Sequence, residues 1–253
     1  MMKKLNLLMS DFFEIIIKDV DFTKLGTSFK KDGTPVTKVD LIVHELFHEF
    51  CQAQGFAVPI LSEESFVHEI KNFPVFVIDP IDGTKDLIRG NGEWSISIAY
   101  LNSTLINDPL NQGWIFQPSE KKLYYSNDLL ESPPVNHQSL KVLVSRTEFN
   151  DGLFDCISSI ENLEIVPMGS IALKLGKLSY FECDLVISFR PKSIWDIAAG
   201  LVLTSRNNGV FYCEGLENPI THFQGELTYK SPMLFGSRSC LNRVDNIIKL
   251  LKV

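Results

Sequence analysis

Apolar residues near the start of the chain recur at helical spacing. Leu5, Leu8, Met9, Phe12, Phe13, Ile16, Ile17 and Val20 share one face and predict an amphipathic helix. A lysine-bearing turn, Phe-Lys-Lys-Asp-Gly-Thr-Pro at 29–35, separates it from a second stripe at Val39, Ile42, Val43, Leu46, Phe47 and Phe50. Thr37 stands where the N-cap of that second helix belongs. The unbroken apolar run 75–78, bounded by Pro74 and Pro80, predicts a buried strand, and residues 57–60 predict a shorter one ahead of it. Residues 94–101 alternate and predict a strand with one buried face. The segment 85–93 is polar and turn-rich, and strands at 114–116 and 122–125 complete a predicted antiparallel meander.

Beyond Ser132-Pro-Pro-Val-Asn136 the pattern changes to alternating strands and helices. Strands are predicted at 141–144, 164–166, 185–187, 210–212 and 233–235. Helices are predicted at 149–160, from Gly169-Ser170 to about 179, from 193 to the Asn207-Asn-Gly209 stop, and at 241–251. The chain thus divides into an α+β lobe with an antiparallel sheet, residues 1–136, and an α/β lobe, residues 137–253. A length of 253 residues suffices for one large domain or two compact lobes.

Apolar residues make up 45% and charged residues 22%, ordinary values for a soluble protein. The net charge of −7 argues against a nucleic-acid polymer as partner. A small anionic substrate is compatible with it if metal ions supply local positive charge. The five cysteines are scattered without a Cys-x-x-Cys pair and read as buried thiols of a reducing, cytoplasmic compartment. No apolar run has the length of a membrane span, and Asp11 and Glu14 interrupt the N-terminal segment before it resembles a signal peptide. A monomer or homodimer is expected.

The chemistry concentrates in Asp79-Pro-Ile-Asp82-Gly83-Thr84. Two carboxylates at a strand tip, bent by Pro80 and Gly83, can point into one small space. Like charges held that close favour a cation, and oxygen-only ligands favour a hard one such as Mg²⁺. The Thr84 hydroxyl and the Gly83 and Thr84 amides can face a phosphate. A plain surface turn uses the same residue types. Asp40 has a structural reading from local sequence: Thr37-x-x-Asp40 resembles a capping box, and a helix-start carboxylate favours the dipole. Glu63 and Glu64 are either a solvated loop or further acids for the Asp79/Asp82 cluster. Asp196, in the first turn of a predicted helix, serves the dipole or points at a metal. The second helix also carries His44-Glu45-Leu-Phe-His48, the H-E-x-x-H pattern of zinc proteases. Its histidines fall opposite the apolar stripe, beside Glu45, Glu49 and Gln52, and zinc would need a third ligand.

Asp40 after Pro-Val-Thr, Ser-Glu63-Glu64, Asp79-Pro-Ile-Asp82-Gly-Thr84 and Trp195-Asp196-Ile-Ala-Ala-Gly200 occur in that order. The set resembles the inositol monophosphatase superfamily of Mg²⁺-dependent, lithium-sensitive phosphatases, over roughly residues 31–215. The resemblance implies a layered α-β-α-β-α sandwich of the sugar-phosphatase type with the site between the lobes. It implies two or three Mg²⁺ ions: Glu63, Asp79 and the Ile81 carbonyl as ligands of the first, and Asp79, Asp82 and Asp196 of the second. A third would share Glu63. Thr84 and Asp40 resemble the pair that orients the attacking water. A non-catalytic phospholigand-binding relative would not need all five carboxylates.

Lys85, Arg89 and the Asn-Gly-Glu-Trp-Ser-Ile-Ser-Ile-Ala run are similar to the 3'(2'),5'-bisphosphate nucleotidase branch, whose substrate is adenosine 3',5'-bisphosphate. Ser145-Arg146 and Gly169-Ser170-x-x-x-Lys174 resemble that branch's nucleotide contacts, although the histidine expected after Ser-Arg is absent. Inositol-hydrolysing relatives carry a glutamate on the strand before Trp-Asp. Here residues 185–194 hold Arg190 and Lys192 instead, which suit a second phosphate. The alternatives are an inositol monophosphatase or fructose-1,6-bisphosphatase activity and, from another class, a zinc metalloprotease on His44 and His48.

Overall fold

The computed structural model describes residues 2–31, 33–65, 70, 72–126, 139–206, 209–213, 218–223, 227–230, 232–237, 247 and 249. Helix α1 (Met2–Asp19) and a small hairpin of β1 (Ser28–Phe29) and β2 (Pro35–Val36) lead into α2 (Lys38–Ala53). Then come β3 (Ile60–Ser62), β4 (Val75–Asp82), α3 (Thr84–Arg89), β5 (Ser95–Leu101), β6 (Gln112–Gln117) and β7 (Lys122–Tyr125). These strands form one sheet in the order β3-β4-β5-β6-β7, parallel only between β3 and β4. The second half contains β8 (Leu140–Ser145), α4 (Arg146–Asn150), β9 (Leu163–Met168), α5 (Ile171–Ser179), β10 (Leu185–Ser188), β11 (Lys192–Ser193) and α6 (Ile194–Arg206). Strands β12 (Gly209–Cys213), β13 (Asn218–Pro219), β14 (Thr228–Tyr229) and β15 (Met233–Ser237) follow. The second sheet runs β13-β12-β15-β10-β8-β9, and β11 pairs with β14 apart from it.

Strand alternation sends neighbouring residues to opposite faces, and each face meets its own helices. Phe76, Ile78, Ile98 and Trp114 point toward α1 and α2, where Phe12 and Phe47 pack. Val75, Val77, Ala99 and Ile115 point the other way, into a core shared with α5, α6 and one face of the second sheet. The far face of that sheet, Val142, Val144, Ile187 and Leu234, covers Phe154, Ile157 and Ile247. The result is the expected α-β-α-β-α sandwich, whose outer layer is represented among the described residues by the Asp155–Ile157 turn and helical residues 247 and 249.

Several local expectations change. Strand β5 is buried on both faces, because helices cover the first sheet on either side. The apolar run 75–78 extends as strand to Asp82. The shorter strand ahead of it lies at Ile60–Ser62, not 57–60. Residues 84–89 form a short helix where a turn was expected, started by Gly83 in the left-handed region (φ 96°). The helix expected at 149–160 is replaced by α4, which begins at Arg146 under a Ser145 cap and stops before Gly152 (φ 78°). Ile17 and Ile42, at the edges of their stripes, are exposed, and so is Cys156, while Cys51 and Cys183 are buried. The predicted linker at 132–136 and most of the predicted helix 241–251 lie outside the described residues. No described helix is long and apolar enough to cross a membrane.

Phe47 is fully buried, with ring centroids 5.3 Å from Phe12 and 5.5 Å from Phe76. Phe47→Ala is expected to cost about 3–5 kcal/mol by leaving a cavity between the first helix pair and the sheet. Urea denaturation measures this, and a loss below about 1 kcal/mol would show that the helix pair is not anchored there.

Candidate active site

Residues three apart on a regular strand point to opposite faces. Asp79 and Asp82 nevertheless enter one space, because the β4–β5 register shifts between them, around Pro80, which has no N–H for the ladder. Asp196 comes from the first turn of α6. Oxygen atoms of Asp79, Asp82 and Asp196 lie within 4.8 Å of one another. The chain holds each acid by backbone or hydroxyl donors. The Ile81 N–H donates to Asp79 Oδ1 (3.0 Å), and the Ser193 N–H to Asp196 Oδ2 (2.9 Å). Asp82 Oδ2 accepts from the Ser170 hydroxyl (2.6 Å) and the Ala172 N–H (2.5 Å). Glu63, at the end of β3, reaches Asp79 as a fourth acid.

Burial, and then the repulsion of Glu63, Asp82 and Asp196, pushes the Asp79 carboxyl well above the usual carboxylate range. Burial, Asp82 and Glu63 push Asp196 up to about 8, against the pull of Lys192. Asp82 is raised by burial, although its Ser170 and Ala172 donors and the nearby Lys174 and Lys192 oppose this. Glu63 is raised by burial in spite of Lys30. Lys30 Nζ lies 2.7 Å from Glu63 and 2.8 Å from Glu64. Buried oxygens that resist sharing negative charge, with no nitrogen or sulfur among them, suit a hard divalent cation.

The two carboxylate oxygens of Asp40 have different partners. Oδ2 accepts the Thr37 N–H (2.9 Å) and hydroxyl (2.5 Å), completing the capping box of α2. Oδ1 lies 3.2 Å from Thr84 Oγ1, which is also 3.2 Å from the Ile81 carbonyl. Burial raises the Asp40 carboxyl, opposed by its Thr37 bonds.

Beside the acids lies a cavity of about 180 Å³ lined by Asp82, Asp196, Ser145, Ser170, Lys174 and Lys192, among others. Gly169 and Ser170 stand at the start of α5, where Ser170 caps the helix with its backbone in the left-handed region (φ 41°). Lys174 is buried, bonded to the Met168 (3.2 Å) and Gly169 (2.9 Å) carbonyls, and burial lowers its pKa to about 8. Two expected substrate contacts are not brought into this cavity. Lys85 is exposed on α3, and Arg190 turns outward to Asp151 (2.5 Å). Buried Glu148 accepts the Phe189 and Arg190 N–H groups (3.0 Å each) and the Ser188 hydroxyl (3.1 Å), which ties the loop backbone down beside the cavity. Lys192 is the loop cation that lines the cavity, with its Nζ 4.0 Å from the Glu148 carboxylate. Ser145 lines the cavity and caps α4. Arg146 is occupied by Asp86 (2.6 Å) and Glu93, and Glu93 also accepts the Gly169 N–H (2.8 Å). Arg89 joins the same group at 3.4 Å from Asp86.

Sequence reasoning missed Lys30, Asp86, Glu93 and Glu148. Asp86, in the first turn after a glycine, carried a helix-start signal; the others pair over long sequence distances that no local pattern encodes. His44 and His48 join no third metal-ligating side chain in a compact cluster among the described residues, so the protease reading lacks its ligand set.

The sequence comparisons make this chain a phosphatase-type hydrolase, with the acid cluster between sheet and helix start as its candidate site. The sequence model of the inositol monophosphatase family matches residues 6–232, and the chain belongs to that family. It is 29% identical over 184 residues to the 3'(2'),5'-bisphosphate nucleotidase CysQ of Salmonella typhimurium, covering 68% of this chain and 73% of that one. It is 27% identical over 217 residues to the protein of the same name from Haemophilus influenzae, covering 80% of each. Its fold is similar to an IMPase/NADP phosphatase crystallised with Mg²⁺ and phosphate, with TM-score 0.78 at 18% identity over 98% of this chain and 95% of that one. A staphylococcal IMPase-I with products superposes with TM-score 0.79, also at 18% identity, over 99% and 95%.

A group whose folded pKa is raised binds its proton more tightly folded than unfolded. Its contribution to stability is present at low pH and lost as pH rises through the folded value. For Asp196 that window runs from the ordinary 3.8 up to about 8. The metal-free protein is therefore expected to show a lower urea midpoint at about pH 8 than at about pH 5, and saturating Mg²⁺ to remove the difference. A midpoint that rises over this range would contradict the crowding of the acids.

Proposed function

We propose that the protein is a Mg²⁺-dependent phosphomonoesterase that removes the 3'-phosphate of adenosine 3',5'-bisphosphate or a related bisphosphate nucleotide. The observation that carries this reading is the convergence of Asp79, Asp82 and Asp196 within 4.8 Å beside a cavity lined with lysines. Glu63, Asp79 and the Ile81 carbonyl would hold one ion, and Asp79, Asp82 and Asp196 another. Bound Mg²⁺ supplies positive charge to the phosphate and eases ionisation of the attacking water. In this division residues 1–136 bring most of the ligands, and residues 137–253 add Asp196 and the substrate contacts.

The chain's own groups position and neutralise. Thr37 saturates Asp40 Oδ2, which leaves Oδ1 to accept the Thr84 hydroxyl proton. Thr84 Oγ1 then presents a lone pair to a hydrogen of the incoming water and orients it for in-line attack. The Gly83 and Thr84 amides, at the start of α3, face the phosphate oxygens. Lys192 and Lys174 add positive charge to the cavity lining, where a second phosphate is neutralised. The relatives named for bisphosphate nucleotides support this choice of substrate class over inositol phosphates and sugar bisphosphates.

Phosphate release in Mg²⁺ from adenosine 3',5'-bisphosphate, inositol 1-phosphate, fructose 1,6-bisphosphate and AMP tests the reading. The nucleotide bisphosphate is expected to lead in kcat/KM by tenfold or more, about 1.4 kcal/mol. A lead for inositol 1-phosphate would reassign the substrate and keep the acids. Asp82→Asn is expected to abolish turnover with an unchanged urea midpoint or a higher one, since it relieves repulsion. Near-normal turnover would remove the metal assignment.

Lys192→Ala is expected to lower kcat/KM for the bisphosphate by about 10- to 100-fold, the weight of a charged hydrogen bond, and for AMP far less. Arg190→Ala should leave the ratio of the two substrates unchanged. The opposite pattern would return Arg190 to the site.

A further inference from the structure

The paired histidines of α2 take no part in the phosphatase chemistry. His44 and His48 stand one helical turn apart, with ring centroids 4.6 Å from each other and planes tilted by 50°. Side chains four residues apart on a helix lie side by side, so both imidazoles reach one patch of surface. His44 is half-buried and His48 exposed. His44 Nδ1 lies 2.8 Å from Ser62 Oγ, on the neighbouring strand β3. The same oxygen accepts the Glu64 N–H at 3.3 Å, which holds the serine in place. A ring nitrogen engaged in this way orients the imidazole and leaves Nε2 as the other potential ligand atom.

We propose that His44 and His48 form a second metal site that takes Zn²⁺ through one nitrogen of each imidazole. Water completes the coordination shell, because among the described residues no third histidine, cysteine or carboxylate joins the pair in a compact cluster. This is neither the closed four-ligand shell of a structural zinc nor the three-ligand set of a protease.

The ligand chemistry separates this site from the acid cluster. Mg²⁺ takes oxygen ligands and gives up its own water reluctantly, so Asp79, Asp82 and Asp196 suit it and a pair of imidazoles does not. Imidazole nitrogen suits borderline ions such as Zn²⁺. Ser62 provides the supporting hydrogen bond that ligating histidines usually have on the second ring nitrogen. Ligation also needs a neutral ring. Burial, with the neighbouring His48, lowers the His44 pKa and favours that form against the opposing pull of Glu64 and Glu45. Ser62 directly precedes Glu63, so the imidazole pair sits immediately behind the loop that feeds the acid cluster.

Zn²⁺ titration of the full chain by calorimetry in excess Mg²⁺ tests the site, because the Mg²⁺ competes for the acid cluster. The wild type is expected to bind one more equivalent of Zn²⁺ than His48→Ala, or to bind it at least about tenfold more tightly. His44→Ala should behave likewise. Both variants should keep the wild-type circular dichroism, and His48→Ala, an exposed position, its Mg²⁺-dependent phosphate release. Equal zinc stoichiometry and affinity in wild type and His48→Ala would overturn the proposal, whether or not the phosphatase reading holds.

Discussion

Negative charge crowded into a space less than 5 Å wide is the condition on which this molecule is built. Left alone, Asp79, Asp82 and Asp196 oppose folding, and burial makes their repulsion stronger. The surrounding structure answers that stress locally. A register shift at Pro80 turns two acids of one strand inward, and helix α6 delivers the third with its start toward the cluster. Ser170 accepts a strained backbone so that its hydroxyl and the Ala172 amide can meet Asp82. Lys30, Lys174 and Lys192 surround the acids with positive charge without neutralising all of them. A site left short of positive charge is the right host for a cation and for the phosphate it draws in.

The layered fold makes this arrangement rigid. Helices α5 and α6 lie between the two sheets, so the starts of both helices meet the end of β4 at one seam. Arg146, from the second half of the chain, bonds to Asp86 and Glu93 of the first half, and Glu93 in turn holds the Gly169 amide. The turn that carries Ser170 is therefore fixed from the side of both sheets. Asp40 shows the same economy on a smaller scale, with one oxygen closing the capping box of α2 and the other on Thr84.

What could be read from the chain follows the range of the forces involved. Helices α1, α2 and α6 and the meander are written in local periodicity, and Thr37 and Asp40 in a cap spaced three residues apart. The acids stood out because Asp-Pro-Ile-Asp-Gly-Thr is locally unusual. The contact of Asp40 with Thr84 spans 44 residues, so no local pattern encodes it. The pairing of Arg146 with Asp86 spans 60 residues and that of Lys30 with Glu63 spans 33, beyond any sequence pattern. Which cation of the 188–193 loop faces inward was likewise hidden. Arg190 and Lys192 have the same alternation parity, and only Glu148, 42 residues before Arg190, settles the course of the backbone. The short helix α3 was missed because a polar, glycine-flanked sequence reads as a turn until Gly83 adopts its left-handed conformation.

Glu148 holds that loop through two backbone amides and the Ser188 hydroxyl, and Lys192 Nζ lies 4.0 Å from its carboxylate. At position 190 Glu148 holds the backbone N–H, whereas at position 192 it pairs with the side chain itself. A loop anchored at 190 through its amide can change that side chain without losing its hold, while a change at 192 alters the charge around a buried carboxylate.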